Sequence, residues 1–387
     1  MMKVLYIIGG KGKKYGSETV ALKLIDGLSQ KFDINYVVVT WNKGIVNKFC
    51  DEKGIENHVI PLKPFVYKET QHAITSLVKR LLLLCRAEIF TIVGYIRLSK
   101  QVDLNKIDLI HTNLSRDMLG GIVSKKKGIP HVWHIQELFD AHYGLQLMKF
   151  HQIDWMNKHC KIFIPISESV SKDWVKHGID RKKTSVVLNG IDGDNTTINR
   201  KKWSEKRRII MVGELSEAKG QRFVIESVSR MKSEYLSKIE LDFYGGGQNE
   251  YIEFLTQLIK KRKLESFVHL CGYNNDVLSI LKNYDISINA SKGEGFGLTT
   301  AEAMMAGVCP LVADAGANPE LVKDNISGLL FKGNDGKDFR RCLEYLLDNP
   351  DKIKEMSEKA QKDAAERFQV DRMREQVYQI YLKAISD

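Results

Sequence analysis

SKGEGFGLTTAEAMMAG, residues 291–307, is the stretch on which the fold reading turns. It leaves the apolar run ISINAS (286–291), which reads as a strand. It then passes glycines at 293, 295 and 297 and enters a helix near Leu298 that stops at Gly307. A buried strand that hands a glycine loop to a helix N-terminus is the building unit of a doubly wound parallel α/β sheet. Glycines let backbone N–H groups come close to a ligand, and first-turn amides with the helix dipole favour an anion, phosphate above all. Glu294 in the loop and Glu302, one turn into the helix on the face of Leu298, can each accept hydrogen bonds from hydroxyl groups. A carboxylate is repelled by phosphate, so the two should hold hydroxyls at the two ends of a molecule that carries phosphate between them. A nucleotide sugar has that layout.

The same grammar extends in both directions. RIIMVGE (208–214), IELDFYG (239–245), VHLCG (268–272) and CPLVAD (309–314) read as further strands of the second half. In the first half VLYII (4–8), INYVVVT (34–40), DLIHTN (108–113), HVWHI (131–135) and KIFIPIS (161–167) alternate with helical patterns over 18–29, 118–125 and 168–177. Apolar strands alternating with helices imply a parallel sheet covered on both faces. The chain has 387 residues, more than one core usually organises, and the polar stretch DGDNTTINRKKWSEKR (192–207) separates the halves. Two doubly wound domains joined near residue 195 are expected, residues 1–195 and 196–369.

Composition narrows the partners. Hydrophobic residues make up 43% and charged residues 28%, as in ordinary globular proteins. Cys50, Cys85, Cys160, Cys271, Cys309 and Cys342 form no CxxC pair and no cluster with histidine, so neither a disulfide framework nor a zinc site is expected. The opening MMKVLYIIGG has too short an apolar run for a signal peptide, and a cytoplasmic protein is expected. The net charge is +11, and all of the excess falls in residues 1–200. Such one-sided basicity suits an anionic partner, and with no recognised nucleic-acid module a membrane surface is the candidate, against the plainer reading of a solvated face. Residues 74–100 are the most apolar stretch, but Lys79, Arg80, Arg86, Glu88 and Arg97 interrupt it, so it is not a membrane span. If its helix continues past Gly94, Lys79, Arg86 and Arg97 fall within about 20° of one another. That stripe suits an interfacial helix, and the alternative is a core helix with a solvated face.

The pattern EGFGL…EAM, with seven residues between its two glutamates, the Gly307 stop and NPELV (318–322), resembles family four of the retaining, nucleotide-sugar-dependent glycosyltransferases. The resemblance covers nearly the whole chain and implies the GT-B architecture, two Rossmann-like domains facing a central cleft. It implies that Lys219 of VGELSEAKGQ (212–221) binds the donor diphosphate, and that Glu294 and His134, in HVWHIQE (131–137), face the donor sugar. Glu302 would hold the ribose, with Gly295, Phe296, Gly297, Leu298 and Thr299 around the phosphates. Gly16 of YGSETVALKL (15–24) would approach the same phosphates, and Tyr273 falls where the family lines its base pocket. ISESVSKDWVKHGI and VVLNGID (166–192) resemble the family's signature before the linker, and residues 370–387 its closing helix, which crosses back to the first domain.

The implied reaction moves a hexosyl or N-acetylhexosaminyl group, with retention, from a nucleoside-diphosphate sugar to an acceptor held by the first domain. No cofactor and no metal is expected. Asp192-Gly193-Asp194 has the form of a metal-binding pair but occupies a turn-rich linker. With the basic first half, the acceptor is expected to be a glycan or a lipid-linked molecule of surface polysaccharide or glycolipid assembly. One position departs from the family: Glu214 stands where an arginine usually pairs with the diphosphate, and opposes phosphate unless it turns away or pairs with Lys219 or Arg222. An accessory subunit with little catalysis of its own, or a sugar-nucleotide epimerase, are the alternatives. A nicotinamide enzyme is excluded because Gly9, Gly10, Gly12 and Gly16 do not have GxGxxG spacing.

Overall fold

Two six-stranded parallel sheets carry the chain. The computed structural model describes residues 1–9, 16–68, 73–139, 145–148, 151–192 and 206–386. The first sheet has the order β3 (Glu56–Val59), β2 (Ile34–Thr40), β1 (Met2–Ile8), β5 (Leu109–Asn113), β6 (His131–Ile135), β8 (Ile162–Pro165). The second runs β11 (Val268–Gly272), β10 (Ile239–Tyr244), β9 (Arg207–Val212), β12 (Ile286–Asn289), β13 (Cys309–Ala313), β14 (Leu329–Phe331). A short antiparallel pair, β4 (Val66–Lys68) with β7 (Leu145–Leu147), stands apart from both.

In each sheet the chain winds outward from its first strand and then restarts on that strand's other side. The reversals fall between β1 and β5 and between β9 and β12. Loops at the carboxyl ends of such strands diverge and leave a crevice, which is where doubly wound sheets bind ligands. The chain divides into two compact units, Met1–Gly190 with Val370–Asp387, and Ile191–Gln369. The join expected near residue 195, and Gly193 and Asp194 of the candidate metal pair, lie outside the described residues.

The central strands are buried on both faces, which accounts for their unbroken apolar runs. Leu5, Ile7, Val37, Val39 and Ile110 point into one core layer of the first unit, while Val4, Tyr6 and Val38 point to the other, as the two-residue strand period demands. The second unit has its own core, with Ile209, Met211, Leu241, Phe243, Ile286 and Ile288. The helix Val370–Ser386 belongs to the first unit: Met373, Val377, Tyr381 and Ala384 recur at helical spacing and are buried. Arg374 Nε donates to Lys23 O at 3.0 Å, and a side chain at Gly27 would run into the same guanidinium.

The helix Ala73–Gln101 is unbroken through Gly94. That glycine serves packing rather than breaking, because a Cβ there would come within 2.7 Å of Leu62 Cδ2. No helix among the described residues is long and apolar enough to cross a membrane. The edge strands β3 and β14 were not legible in the sequence. Glu-Asn-His-Val is polar and partly exposed, and Leu-Leu-Phe spans three residues, too short to show a period.

Candidate functional site

The switch point of the second unit is built from the loops that follow β9 and β12. After β9 the chain turns through Gly213, whose N–H donates to Tyr244 O at 2.9 Å, and reaches Gly220, the N-cap of the helix Gln221–Val228. Gly220 has φ +86°, and a Cβ on it would collide with the carbonyl of Ala290 just beyond β12. The glycine therefore lets the two loops touch, and Lys292 N–H donates to Ala218 O at 3.2 Å. Their side chains meet in turn: Lys219 Nζ lies 2.9 Å from Glu294 Oε2, with the two side chains 28% and 14% exposed.

The loop after β12 is braced from beneath. Asn289 Nδ2 donates to Thr300 Oγ1 at 2.9 Å and to Asn318 Oδ1 at 3.4 Å, and its own Oδ1 accepts from Ser291 N–H at 3.1 Å. Asn318 Nδ2 donates to Ala313 O at 3.0 Å, tying the loop to the end of β13. Ala317 N–H holds Glu294 O at 2.8 Å, and Gly316, at φ +57°, passes so close that a Cβ would meet Glu294 N at 2.5 Å. Gly316→Ala is expected to cost about 2 kcal/mol and to displace Glu294, whereas Gly333→Ala, which faces open space, changes nothing. Thermal unfolding checks this, and equal melting temperatures for the two variants would reject the brace.

Gly297, at φ +91°, caps the helix Leu298–Met305, whose first-turn amides lack intrahelical partners. The helix ends where expected: Gly307, at φ +67°, donates to Met304 O and Val308 donates to Ala303 O, each at 2.9 Å, a Schellman stop. Glu302 sits half-buried one turn in, Leu298 and Thr299 are half-buried, and Gly295 is buried. Phe296 takes part in the loop with its backbone alone. It is 3% exposed and packs edge-on against Phe368 at 5.6 Å, so its side chain is core and only its backbone can face a ligand.

The remaining expected residues lie elsewhere. Tyr273 is exposed just beyond β11, two strands from β9. Glu214 is exposed, while Lys219 pairs with Glu294 and Arg222 with Glu226, at 3.2 Å, so neither of its anticipated partners is turned to it. In the first unit Gly16 is exposed and begins the helix Gly16–Lys31, and residues 10–15 of the glycine loop before it lie outside the described residues. His134, on β6, is fully buried with both ring nitrogens unpartnered, edge-on to His111 at 5.3 Å, and burial pushes it down to about 3. At the carboxyl ends of β5 and β6, Ser115, Arg116, Glu137, Leu138, Phe139 and Trp174 line a small hollow, with Arg116 Nε 3.7 Å from Glu137 Oε1.

Among the described residues one trio could hold a metal ion, Glu240, Asp242 and His269. It stands within β10 and β11 rather than in the switch-point loops. Asp242 is already engaged: His269 Nδ1 donates to it at 2.9 Å, Tyr284 donates its hydroxyl proton, and Arg208 lies 3.8 Å away. The residues missed by the sequence reading are the supports Asn289 and Gly316. Asn318, the partner of Asn289, opened the quoted NPELV motif without being recognised as the brace.

Known proteins match this arrangement along the chain. Residues 16–195 match the model described as Glycosyltransferase Family 4, and residues 194–363 the model described as Glycosyl transferases group 1. The UDP-Gal:alpha-D-GlcNAc-diphosphoundecaprenol alpha-1,3-galactosyltransferase of Escherichia coli is 27% identical over 280 residues, 66% of this chain and 70% of that protein. The capsular polysaccharide biosynthesis glycosyltransferase CapH of Staphylococcus aureus is 21% identical over 311 residues, 78% of this chain and 79% of that protein. Among solved structures, Anabaena Alr3699/HepE in complex with UDP-glucose superposes with a TM-score of 0.77 at 19% identity, covering 99% of this chain and 100% of that one. Two Rossmann-like six-stranded units in this order are the GT-B fold. With the two family matches adjoining and spanning residues 16–363, the chain belongs to the group 1 glycosyltransferases.

Proposed function

We propose that this glycosyltransferase moves a sugar, with retention of anomeric configuration, from a nucleoside-diphosphate sugar to a glycan or lipid-linked acceptor in surface polysaccharide or glycolipid assembly. The observation that carries the proposal is the Lys219–Glu294 pair at the switch point of the second unit, next to the N-terminus of the helix Leu298–Met305. A cation and free first-turn amides suit a diphosphate leaving group whose negative charge grows as the glycosidic bond breaks. In this reading Lys219 and the amides of Gly297, Leu298 and Thr299 take that charge without a metal. Glu294 accepts from the sugar hydroxyls and Glu302 from the ribose.

His134 is the candidate for a sugar contact from the first unit. Two buried ring nitrogens that no protein group satisfies suit an imidazole kept for a ligand. Its full burial requires neighbouring side chains to move before a sugar reaches it. The hollow at Arg116 is a candidate for the acceptor side.

UDP-sugars are the first donors to try, because Anabaena Alr3699/HepE binds UDP-glucose and the Escherichia coli relative is named for UDP-Gal. The acceptor in that relative's name is alpha-D-GlcNAc-diphosphoundecaprenol, a lipid-linked sugar, which supports a lipid-linked acceptor here. The test is release of nucleoside diphosphate across a panel of sugar nucleotides, with and without a chelator. Turnover that survives the chelator, with Glu302→Ala raising the donor KM about ten-fold by loss of hydrogen bonds to the ribose, is expected. Donor binding without turnover would favour an accessory subunit, and turnover indifferent to Glu302→Ala would remove that residue from the site.

A further inference from the structure

We infer that the outer face of the helix Ala73–Gln101 is a docking surface for an anionic lipid bilayer. This adds a membrane partner to the reading above and uses none of its active-site residues. Half of the exposed large hydrophobic side chains among the described residues stand on this one helix. Leu77, Val78, Leu82, Ile89, Ile92 and Ile96 are between 48% and 67% exposed. At 100° per residue these six fall within an arc of about 140°, with Cys85, also exposed, near its middle. Ala87, Thr91, Gly94 and Leu98 lie on the opposite side and are buried against the first unit. The helix is thus apolar on two faces, and the protein covers one of them.

The uncovered arc runs about 28 Å from Leu77 to Ile96 at the helical rise. Contiguous apolar surface of that extent marks an interaction site rather than scatter. Its edges identify the partner. Lys79, Arg86 and Arg97 fall about 20° apart along one margin, and all three are exposed. Long cationic side chains beside an apolar strip can bury their stems in the acyl boundary and leave their charges at the level of lipid phosphates. Half-buried Glu88 falls about 20° inside the opposite edge, and Arg80 turns away to donate to Met148 O at 2.8 Å. Between Leu77 and Ile96 Glu88 is the one charged side chain in the arc, fewer polar groups than protein interfaces intersperse among their apolar anchors, and a bilayer asks for none. The charge of the chain agrees, since residues 1–200 carry all of the +11 excess. No helix among the described residues can span, so the fit is to lie in the interface plane.

Co-sedimentation of the full chain with phosphatidylglycerol-rich vesicles and with pure phosphatidylcholine vesicles tests the inference. Binding about ten-fold or more tighter to the anionic vesicles at low ionic strength, and weakened by salt, is expected. Leu82→Glu with Ile89→Glu should abolish it, and Lys79→Glu with Arg97→Glu should remove its dependence on phosphatidylglycerol. A polarity-sensitive dye on Cys85, with Cys271→Ser to make the labelling selective, should shift to the blue on anionic vesicles and reads the face without altering it. Absence of binding, binding that survives the Leu82→Glu and Ile89→Glu pair, or an unshifted dye on bound protein would overturn the inference. A concentration-dependent dimer broken by that pair, with no vesicle binding, would assign the face to a second copy instead. None of these readouts involves turnover, so the surface and the catalytic reading can fail separately.

Discussion

Replacing Lys219 with alanine is expected to lower kcat about 10²- to 10³-fold, the usual cost of removing one preorganised donor from a site of developing negative charge. Its Nζ lies 2.9 Å from Glu294 Oε2, so without donor the ammonium balances that carboxylate. When a diphosphate arrives, Lys219 is shared between the two anions, and it gains most when charge moves onto the leaving group. Its loss has a second consequence: Glu294 would then face the phosphates uncompensated, and donor affinity should fall as well. Glu294→Gln in the Lys219→Ala background relieves that repulsion, so donor binding should partly recover while kcat does not. Such non-additivity is the signature of residues acting on one another. The pair is partly solvated and contributes about 1 kcal/mol or less to stability, so both variants should melt like the parent. Steady-state kinetics of nucleoside-diphosphate release supplies the measurement. A folded Lys219→Ala protein with kcat near the parent's would reject the role.

Below about pH 6 the first unit should lose stability steeply, because its core contains three fully buried neutral histidines. His131 Nδ1 donates to His159 O at 2.9 Å and its Nε2 accepts from Thr112 Oγ1 at 2.9 Å, an arrangement that uses up the neutral ring. His111 stacks on Tyr6 at 4.1 Å and bonds through Nδ1 to the Tyr381 hydroxyl at 2.8 Å, and His134 lies beside it. Burial pushes His131 down to about 4 and His134 to about 3. Burial also holds His111 well below the usual histidine range, and its two histidine neighbours push the same way. In the unfolded chain each titrates near 6.5. The unfolded state therefore binds protons first, so the stability is fully present above about 6.5 and is lost as pH falls toward the folded values. Each ring contributes about 1.4 kcal/mol per pH unit in that window, and the three together about 4.

Denaturant unfolding followed by tryptophan fluorescence checks this, since Trp41, Trp133, Trp155 and Trp174 all lie in the first unit. His134→Leu should flatten the acid slope by about a third. At neutral pH it should leave stability unchanged or raise it by about 1 kcal/mol, because two unpaired buried nitrogens disappear. Stability that does not change between neutral pH and pH 5 would reject the account.

Much of the site was legible because its identity is local. A strand, a glycine loop and a helix start lie within 22 residues, 286–307, and their backbone demands are written in the residue types: Gly297 must enter the left-handed region, and Gly307 must end the helix there. The kind of sheet also followed, since fully apolar runs alternating with helices imply a parallel sheet covered on both faces, whereas the polar or three-residue edge strands β3 and β14 did not. What the sequence could not determine is who meets whom. Lys219 and Glu294 are far apart along the chain, and their contact exists because β9 and β12 are neighbours and Gly220 lets their loops touch. Phe296 stood in a ligand motif, yet Phe368 claims its ring; His134 stood at a strand end, yet the first unit's core encloses it. The helix Ala73–Gln101 shows the reason most plainly. Its sequence is apolar on nearly every side, so periodicity gave a basic stripe only on the condition that the helix runs past Gly94, while packing against Ile60 and Leu62 decided which apolar face is covered and which is left to a partner.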